Sequence, residues 1–443
     1  MGDNKVVLFR ETIFSHSFKQ KWKNTSSFQI LPGSFFFSDK FRYLSLKSII
    51  RMMKYNFDEV IDRTGTSTYK IDLLQSRFGA NDILPLWVAD MDFRSPDFIM
   101  DAIRERANHE VLGYTIRNKE WYQPIAQWIK QKHNWHVESN WIGYVPGILP
   151  GIVLAMQTFT QPEDKIVIQP PIYPPFMSMV KNNDRQIVYN QLIQKNGEIR
   201  MDLENLKQLI DEKTKMLLLC SPHNPGGRVW TKEELLALLE ICKEHNILVI
   251  SDEIHADLVL PGNTHVPFPT ISEDAANQCI TFMAPSKTFN IAGLASASFI
   301  IPNDELRAKF RLKVEAAEIG GGNIFASVAT KAAYEHGAEW LNQLVHYIQE
   351  NVNYVDEYLK AHLPKIKAFI PQASFLIWLD FSELGLSDDE IRRILIQEAK
   401  LGFNHGPSFG PGGEGYQRMN VGCSRLVIEE AMKRLSSAFT QYC

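Results

Sequence analysis

Short apolar runs alternate with stretches of helical spacing across the middle of the chain. Lys165-Ile-Val-Ile-Gln169 and Met216-Leu-Leu-Leu-Cys220 are such runs, stopped by Pro170-Pro171 and by Ser221-Pro222. Ile247-Leu-Val-Ile250 stops at Asp252-Glu253, Ile280-Thr-Phe-Met283 stops at Ala284-Pro285-Ser286-Lys287, and Ala297 to Ile301 is one more. Strands buried on both faces read as uninterrupted runs. Between two of them, Thr231-Lys-Glu-Glu234 has the form of a capping box, and Leu235, Leu236, Leu238, Leu239 and Cys242 follow at helical spacing. This alternation predicts an α/β fold whose large domain, residues 100–330, holds a mostly parallel sheet flanked by helices. From about residue 331 the pattern becomes a long amphipathic helix, a strand-like stretch over 369–381 and a helix near 387–400. That predicts a smaller α+β domain over 331–443, with residues 53–99 as an N-terminal arm and part of the small domain.

Composition narrows the class. The 443 residues carry a net charge of −4, without the basic excess of a nucleic-acid binder. No apolar run reaches the roughly 18 residues that span a bilayer. Neither a nucleic-acid nor a membrane partner is expected. The five cysteines are scattered with no C-x-x-C, which points to reduced thiols, a cytoplasmic setting and no metal site. Residues 1–52 stand apart, with nine Lys+Arg against three Asp+Glu where the rest has 38 against 48. They show no sustained period and are expected to be an extension outside the fold, with the working protein beginning at Met53.

Polar residues repeatedly follow the strands, where open α/β sheets place ligands. Ser221-Pro-His-Asn-Pro-Gly-Gly227 puts Asn224 in a turn, Asp252 ends an apolar strand, and Lys287 follows another. A carboxylate at such a rim wants a cationic partner. A lysine there is a candidate for covalent attachment to an aldehyde. Arg425, in Asn420-Val-Gly-Cys-Ser-Arg425, has the planar fork that grips a carboxylate. Taken singly, each has a plainer reading as a turn, a cap or a surface charge. The spacings of 28 residues from Asn224 to Asp252 and 35 from Asp252 to Lys287, each at a successive strand end, change that balance.

Leu86-Trp-Val-Ala-Asp-Met-Asp-Phe93, Gly113-Tyr-Thr115, Val145-Pro-Gly147, Pro170-Pro-Ile-Tyr-Pro-Pro-Phe176, the Asn224 loop, Ser251-Asp-Glu-Ile-His255 and Ser286-Lys-Thr-Phe-Asn-Ile-Ala-Gly-Leu294 form an ordered set. In them the chain resembles, from about Met53 to near its C-terminus, the fold-type-I pyridoxal-phosphate (PLP) enzymes of the aspartate aminotransferase superfamily. Within that superfamily it is most similar to the cystathionine β-lyase, or C–S lyase, branch. The resemblance implies the aspartate aminotransferase-like fold and PLP as cofactor. Lys287 would hold PLP covalently and then act as base at the substrate Cα. Asp252 would pair with the ring nitrogen, Asn224 would bond the ring oxygen, Tyr173 would stack on the ring, and His255 would support Asp252 or the ring oxygen. Gly147, with the amides of Ile148 and Leu149, and Ser286 would bind the phosphate, joined by Tyr114 from the neighbouring subunit of a homodimer with shared sites. Arg425, helped by the backbone near Ala89, would hold the carboxylate of a small amino-acid substrate, with Tyr173 and Asn224 also at the substrate. Trp87, Phe325 and Asn323 are further candidates for the lining. Aminotransferases of the superfamily carry an arginine eight residues after the lysine, where this chain has Ala295.

The expected reaction is therefore β-elimination from L-cystathionine or a related cysteine S-conjugate, giving a thiol, pyruvate and ammonia. The alternatives are a class I/II aminotransferase and a PLP-binding regulatory protein that contacts a transcription factor.

Overall fold

The strand runs predicted between residues 165 and 301 all form, and a further strand precedes them. In the computed structural model, which describes residues 55–195 and 197–443, a seven-stranded sheet is built from β1 (Ile142–Val145), β2 (Lys165–Ile168), β3 (Gln186–Tyr189), β4 (Thr214–Cys220), β5 (Leu248–Asp252), β6 (Cys279–Met283) and β7 (Ala297–Ile300). The expectation for residues 1–52 lies outside the described residues. The strand order is β1-β7-β6-β5-β4-β2-β3. Only β7 runs against its neighbours; β6, β5, β4, β2 and β3 pair in parallel. The chain therefore enters most strands from one edge and leaves them at the other, which gathers the residues after β1, β2, β4, β5 and β6.

Side chains along β4 show why these strands read as continuous apolar runs. Met216, Leu218 and Cys220 pack into one core, and Leu217 and Leu219 into another on the opposite face. Helix α1 (Lys119–His133) packs against the helix Ile324–His336, and α2 (Ile148–Phe159) begins shortly after β1. Helix α3 (Lys232–Glu244) starts at the predicted capping box: the Thr231 side chain accepts from the Glu234 amide and the Glu234 side chain from the Thr231 amide.

A second, antiparallel sheet has the order β8-β9-β11-β10, from β8 (Lys367–Phe369), β9 (Leu376–Asp380), β10 (Asn404–His405) and β11 (Tyr416–Asn420). The long helix α4 (Ala338–His362) packs against β8 and against α5 (Arg425–Phe439). The predicted helix near 387–400 is helical over Asp388–Arg393 and continues as a wider π turn over Ile394–Glu398. The segment after Pro85 lies along β11. The Asn420 amide donates to the Leu86 carbonyl at 2.9 Å, and Asn420 Nδ2 donates to the Val88 and Asp90 carbonyls at 2.6 Å each. This lashing carries Ala89 to the sheet edge where Lys287 lies.

Close packing at β1 yields a stability prediction. Gly143 stands opposite Phe299 in the β1–β7 ladder, and a Cβ there would fall 1.9 Å from Phe299 Cζ. Gly143→Ala should destabilise by roughly 1–3 kcal/mol through overpacking. Adding Phe299→Leu should recover part of the loss in denaturant titrations, and a neutral Gly143→Ala would contradict the packing.

Candidate active site

A cavity of about 350 Å³ opens at the edge where the parallel strands end, inside the roughly 300–1,000 Å³ typical of small-molecule sites. Its wall takes Pro146 to Pro150 from the turn after β1, Tyr173 from the turn after β2, and Asn224 from the turn after β4. Asp252 and His255 come from the end of β5, Ser286 and Lys287 from the end of β6, and Ala295 and Ser296 from the approach to β7. Ala89 arrives from the lashed N-terminal segment. Ala89, Gly147, Ile148, Leu149, Tyr173, Asn224, Asp252, His255, Ser286 and Lys287, dispersed over nearly 200 positions of sequence, thus face one space.

Burial governs the chemistry of the charged members. Lys287 sits in the short helix Pro285–Thr288 and its Nζ donates to the Ala89 carbonyl. Desolvation draws its pKa down to about 8, with Arg418 adding to the fall and Asp90 and Asp252 opposing it. Asp252 is only 5 % exposed, and its Oδ1 accepts the Ile254 amide at 3.1 Å. Desolvation raises its carboxyl to about 7; the nearby Glu253 adds to the rise, and Lys287 opposes it. His255 is buried with Nδ1 unpartnered among the described residues. Burial first, then the charges of Lys287 and Arg418, lower its pKa to about 3, so the ring is neutral.

The expected carboxylate-binding arginine is corrected by the geometry. Arg425 opens α5, its Nε donating to Asn351 Oδ1 at 2.9 Å and its guanidinium lying 4.7 Å from the Tyr354 ring centre. It is not part of the cavity wall, because the N-terminus of α5 is turned toward α4. Arg418, on β11, is the arginine that reaches the cavity wall, through Asn224. Its Nη1 donates to Asn224 Oδ1 at 2.9 Å, and its Nη2 donates to the Trp87 carbonyl at 2.9 Å and to Asn404 Oδ1 at 2.6 Å. The side chain is buried, Nε has no partner among the described residues, and desolvation lowers its pKa to about 10. Every acceptor it touches is neutral. The sequence signal for Arg418 was faint: it lies in Tyr416-Gln-Arg-Met-Asn420, a strand with no clean alternation.

Four other expected residues lie elsewhere. Tyr114, Asn323 and Phe325 line a separate cavity with Gly321 and Gly322, Tyr114 being fully exposed. Asn323 caps the helix Ile324–His336. Trp87 is a buried packing residue whose Nε1 donates to the Lys70 carbonyl at 3.1 Å; only its backbone serves the site, by holding Arg418.

The donor set fits the PLP that the sequence implies. Among the described residues Asp252 has no cation in contact, which a protonated ring nitrogen would supply. With Arg418 bonded to its Oδ1, Asn224 has Nδ2 left to donate to a ring oxygen. The first-turn amides of the 12-residue helix α2 have no acceptors within the helix, suiting a phosphate. At Ala295 the backbone is left-handed and its carbonyl accepts from Tyr144 Oη at 3.2 Å. The wall offers the phosphate no side-chain cation there.

Comparison with known proteins identifies the family. Residues 81–435 match the family described as aminotransferase class I and II. Cystathionine beta-lyase PatB of Bacillus subtilis is 44 % identical over 386 residues, covering 87 % of this chain and all of PatB. The structure of cystalysin from Treponema denticola, which contains a pyridoxal 5'-phosphate cofactor, superposes with a TM-score of 0.85 at 35 % identity, over 88 % of this chain and 100 % of cystalysin. The PLP-bound C–S lyase from Staphylococcus hominis gives a TM-score of 0.81 at 33 % identity, over 87 % and 98 % of the two chains.

The burial of Lys287 is directly testable. In cofactor-free protein its amine should become nucleophilic with a midpoint near pH 8, against about 10.4 for solvated lysines. Amine-selective labelling followed by peptide mass analysis reads the difference. A Lys287 peptide labelled in step with the surface lysines would refute it.

Proposed function

The chain belongs to the class I and II aminotransferase family, in its cystathionine β-lyase branch, and on that premise we propose that the Lys287 cavity cleaves the Cβ–S bond of L-cystathionine or a related cysteine S-conjugate. The protein is a PLP-dependent carbon–sulfur β-lyase. Overall, one water is consumed as the Cβ–S bond and then the Cα–N bond break; the sulfur leaves as a thiol and the rest as pyruvate and ammonia. PLP, when bound, supplies an electron sink for the negative charge left at Cα. One observation carries the reading: Asp252 shares the cavity wall with a lysine of lowered pKa, Arg418 is bonded to the wall residue Asn224, and these two opposite charges are buried without ionic partners in contact among the described residues.

The chain's own residues then divide the work. Arg418, with no carboxylate of its own, binds the substrate α-carboxylate and so orients Cα. Asn224 is fixed by that same guanidinium. Lys287 Nζ, neutral in a sizeable fraction near pH 8, takes the Cα proton. With PLP bound, Asp252 would hold the ring nitrogen, Tyr173 would pack on the ring, and the amides of Ile148 and Leu149 with Ser286 would bind the phosphate. Ala295 in place of an arginine removes a feature typical of the aminotransferases and agrees with elimination.

The working unit in this reading is a homodimer. Val111, Leu112, Tyr114 and Ile116 are all exposed, a larger apolar display than a short loop needs. Tyr114 would cross to the partner's phosphate site. The five cysteines are free, four of them buried, and no helix among the described residues is long and apolar enough to cross a membrane. Free thiols of this kind support the reading of a cytoplasmic setting.

Purified enzyme supplied with cystathionine should release thiol and pyruvate without an added keto acid. Amino-group transfer to a keto acid in the absence of both products would sink the lyase reading. Arg418→Lys should lower kcat/KM by roughly 10- to 100-fold, the scale of ~1.5–3 kcal/mol for a charged hydrogen bond, mainly through KM. Arg425→Lys should stay within about threefold, because lone polar contacts near the surface are worth little. The reverse ranking would restore Arg425.

A further inference from the structure

Beneath Lys287, outside the cavity, lies a carboxylate that none of the steps above uses. Asp257 follows Asp252 by five residues in the turn beyond β5, and its side chain is only 8 % exposed. Three side-chain donors converge on it. Oδ1 accepts from Trp128 Nε1 and from His133 Nε2, both at 2.9 Å, and Oδ2 accepts from Thr288 Oγ1 at 2.9 Å. Trp128 and His133 belong to α1, and His133 is its last residue. Thr288 is fully buried and directly follows Lys287. Trp128 also packs edge-on against Phe289, the next residue along, at 5.5 Å between ring centres.

The arrangement bridges two strand-end segments that must keep register. One carries Asp252 and His255, and the other carries Ser286 and Lys287. Thr288 Oγ1 donating to Asp257 is a side-chain link between them immediately behind the lysine. A buried carboxylate is costly unless its lone pairs are met, and an apolar residue would fill the same space without that cost. What a carboxylate adds is direction, since one oxygen is committed to α1 and the other to Thr288. Burial alone would push the Asp257 carboxyl up, but the His133, Trp128 and Thr288 bonds together hold it below the usual range. It is therefore a fixed anion at neutral pH.

We propose that Asp257 is a positioning residue: through Thr288 it sets where the Lys287 amine lies relative to Asp252 and the cofactor ring. The inference rests on Lys287 being the cofactor-holding lysine. A wild-type holoenzyme without the visible absorbance of a lysine-bound cofactor would overturn that reading, and this one with it, before any variant is made.

The test uses the holoenzyme with Asp257→Asn, Thr288→Val and Thr288→Ser. Asp257→Asn and Thr288→Val should each lower kcat at least tenfold with KM within threefold, because the reacting amine is displaced while Arg418 is untouched. Both should also lose half or more of the visible circular dichroism of the bound cofactor, a signal set by its orientation. Thr288→Ser, which keeps the hydroxyl, should retain kcat within threefold and most of the dichroism. If Asp257→Asn does not fold, the two Thr288 variants decide the matter. Variants that lower only the thermal midpoint, with kcat and dichroism unchanged, would reduce Asp257 to a structural tie and overturn the proposal. Thr288→Ser behaving like Thr288→Val would do the same, since the hydroxyl would then be irrelevant.

Discussion

The site depends on charges buried at one sheet edge that the protein leaves for a ligand to neutralise. Arg418 meets only neutral acceptors: the Asn224 and Asn404 side chains and the Trp87 carbonyl. Asp252 meets a backbone amide. Taking a charge out of water without a counter-ion is among the most expensive things a fold can do. Such charges persist where something outside the chain completes them. A ligand that brings a cation to one and a carboxylate to the other is what these two describe.

Building that arrangement requires rigid supports from distant stretches of sequence. Parallel strands β4, β5 and β6 deliver Asn224, Asp252 and Lys287 side by side. The segment 86–93 then closes the wall from the other direction. Beyond its lashing to Asn420, Arg63 pairs with Asp90 at 2.7 Å and with Asp92 at 2.6 Å, and the fully buried Lys70 pairs with Asp92 at 2.6 Å. Two cations and two carboxylates balance each other, so this network fixes the backbone at Ala89 while adding no net charge beside Lys287. The contrast with Arg418 and Asp252 is informative: the charges of this network balance among themselves, and those two have no ionic partner in contact among the described residues.

The same distinction explains what could be read from the chain. Lys287, Asp252 and Asn224 were legible because each ends an apolar run, and a run's end fixes an edge of the sheet whatever the rest of the fold does. The capping box at Thr231 was legible because it is wholly local. Arg418 was not, because its position follows from the pairing of β11 with both β9 and β10, at Trp378 and Asn404, and no local pattern announces that register. Arg425 looked suitable only as a residue type; its neighbours Asn351 and Tyr354 come from a helix some 70 positions earlier. Tyr114 came from the resemblance alone, and in the chain it is fully exposed, away from the Lys287 cavity.

Linkage turns the same burial into a statement about the empty and filled protein. Asp252 has a folded pKa near 7, above the roughly 3.9 of an unfolded aspartate. Between those values the folded chain binds more protons, so its contribution to stability falls as pH rises toward 7. Lys287 has a folded pKa near 8, below the roughly 10.4 of a free lysine. Between those values the unfolded chain binds more protons, so this contribution is recovered only as pH climbs from 8 toward 10. Without cofactor, both groups therefore count against the fold around neutrality. A ring nitrogen beside Asp252 and a covalent bond at Lys287, as proposed for PLP, would remove both penalties at once, since a ligand that binds only the folded state stabilises it. In this reading the cavity proposed for the chemistry is also a place where cofactor binding would stabilise the fold.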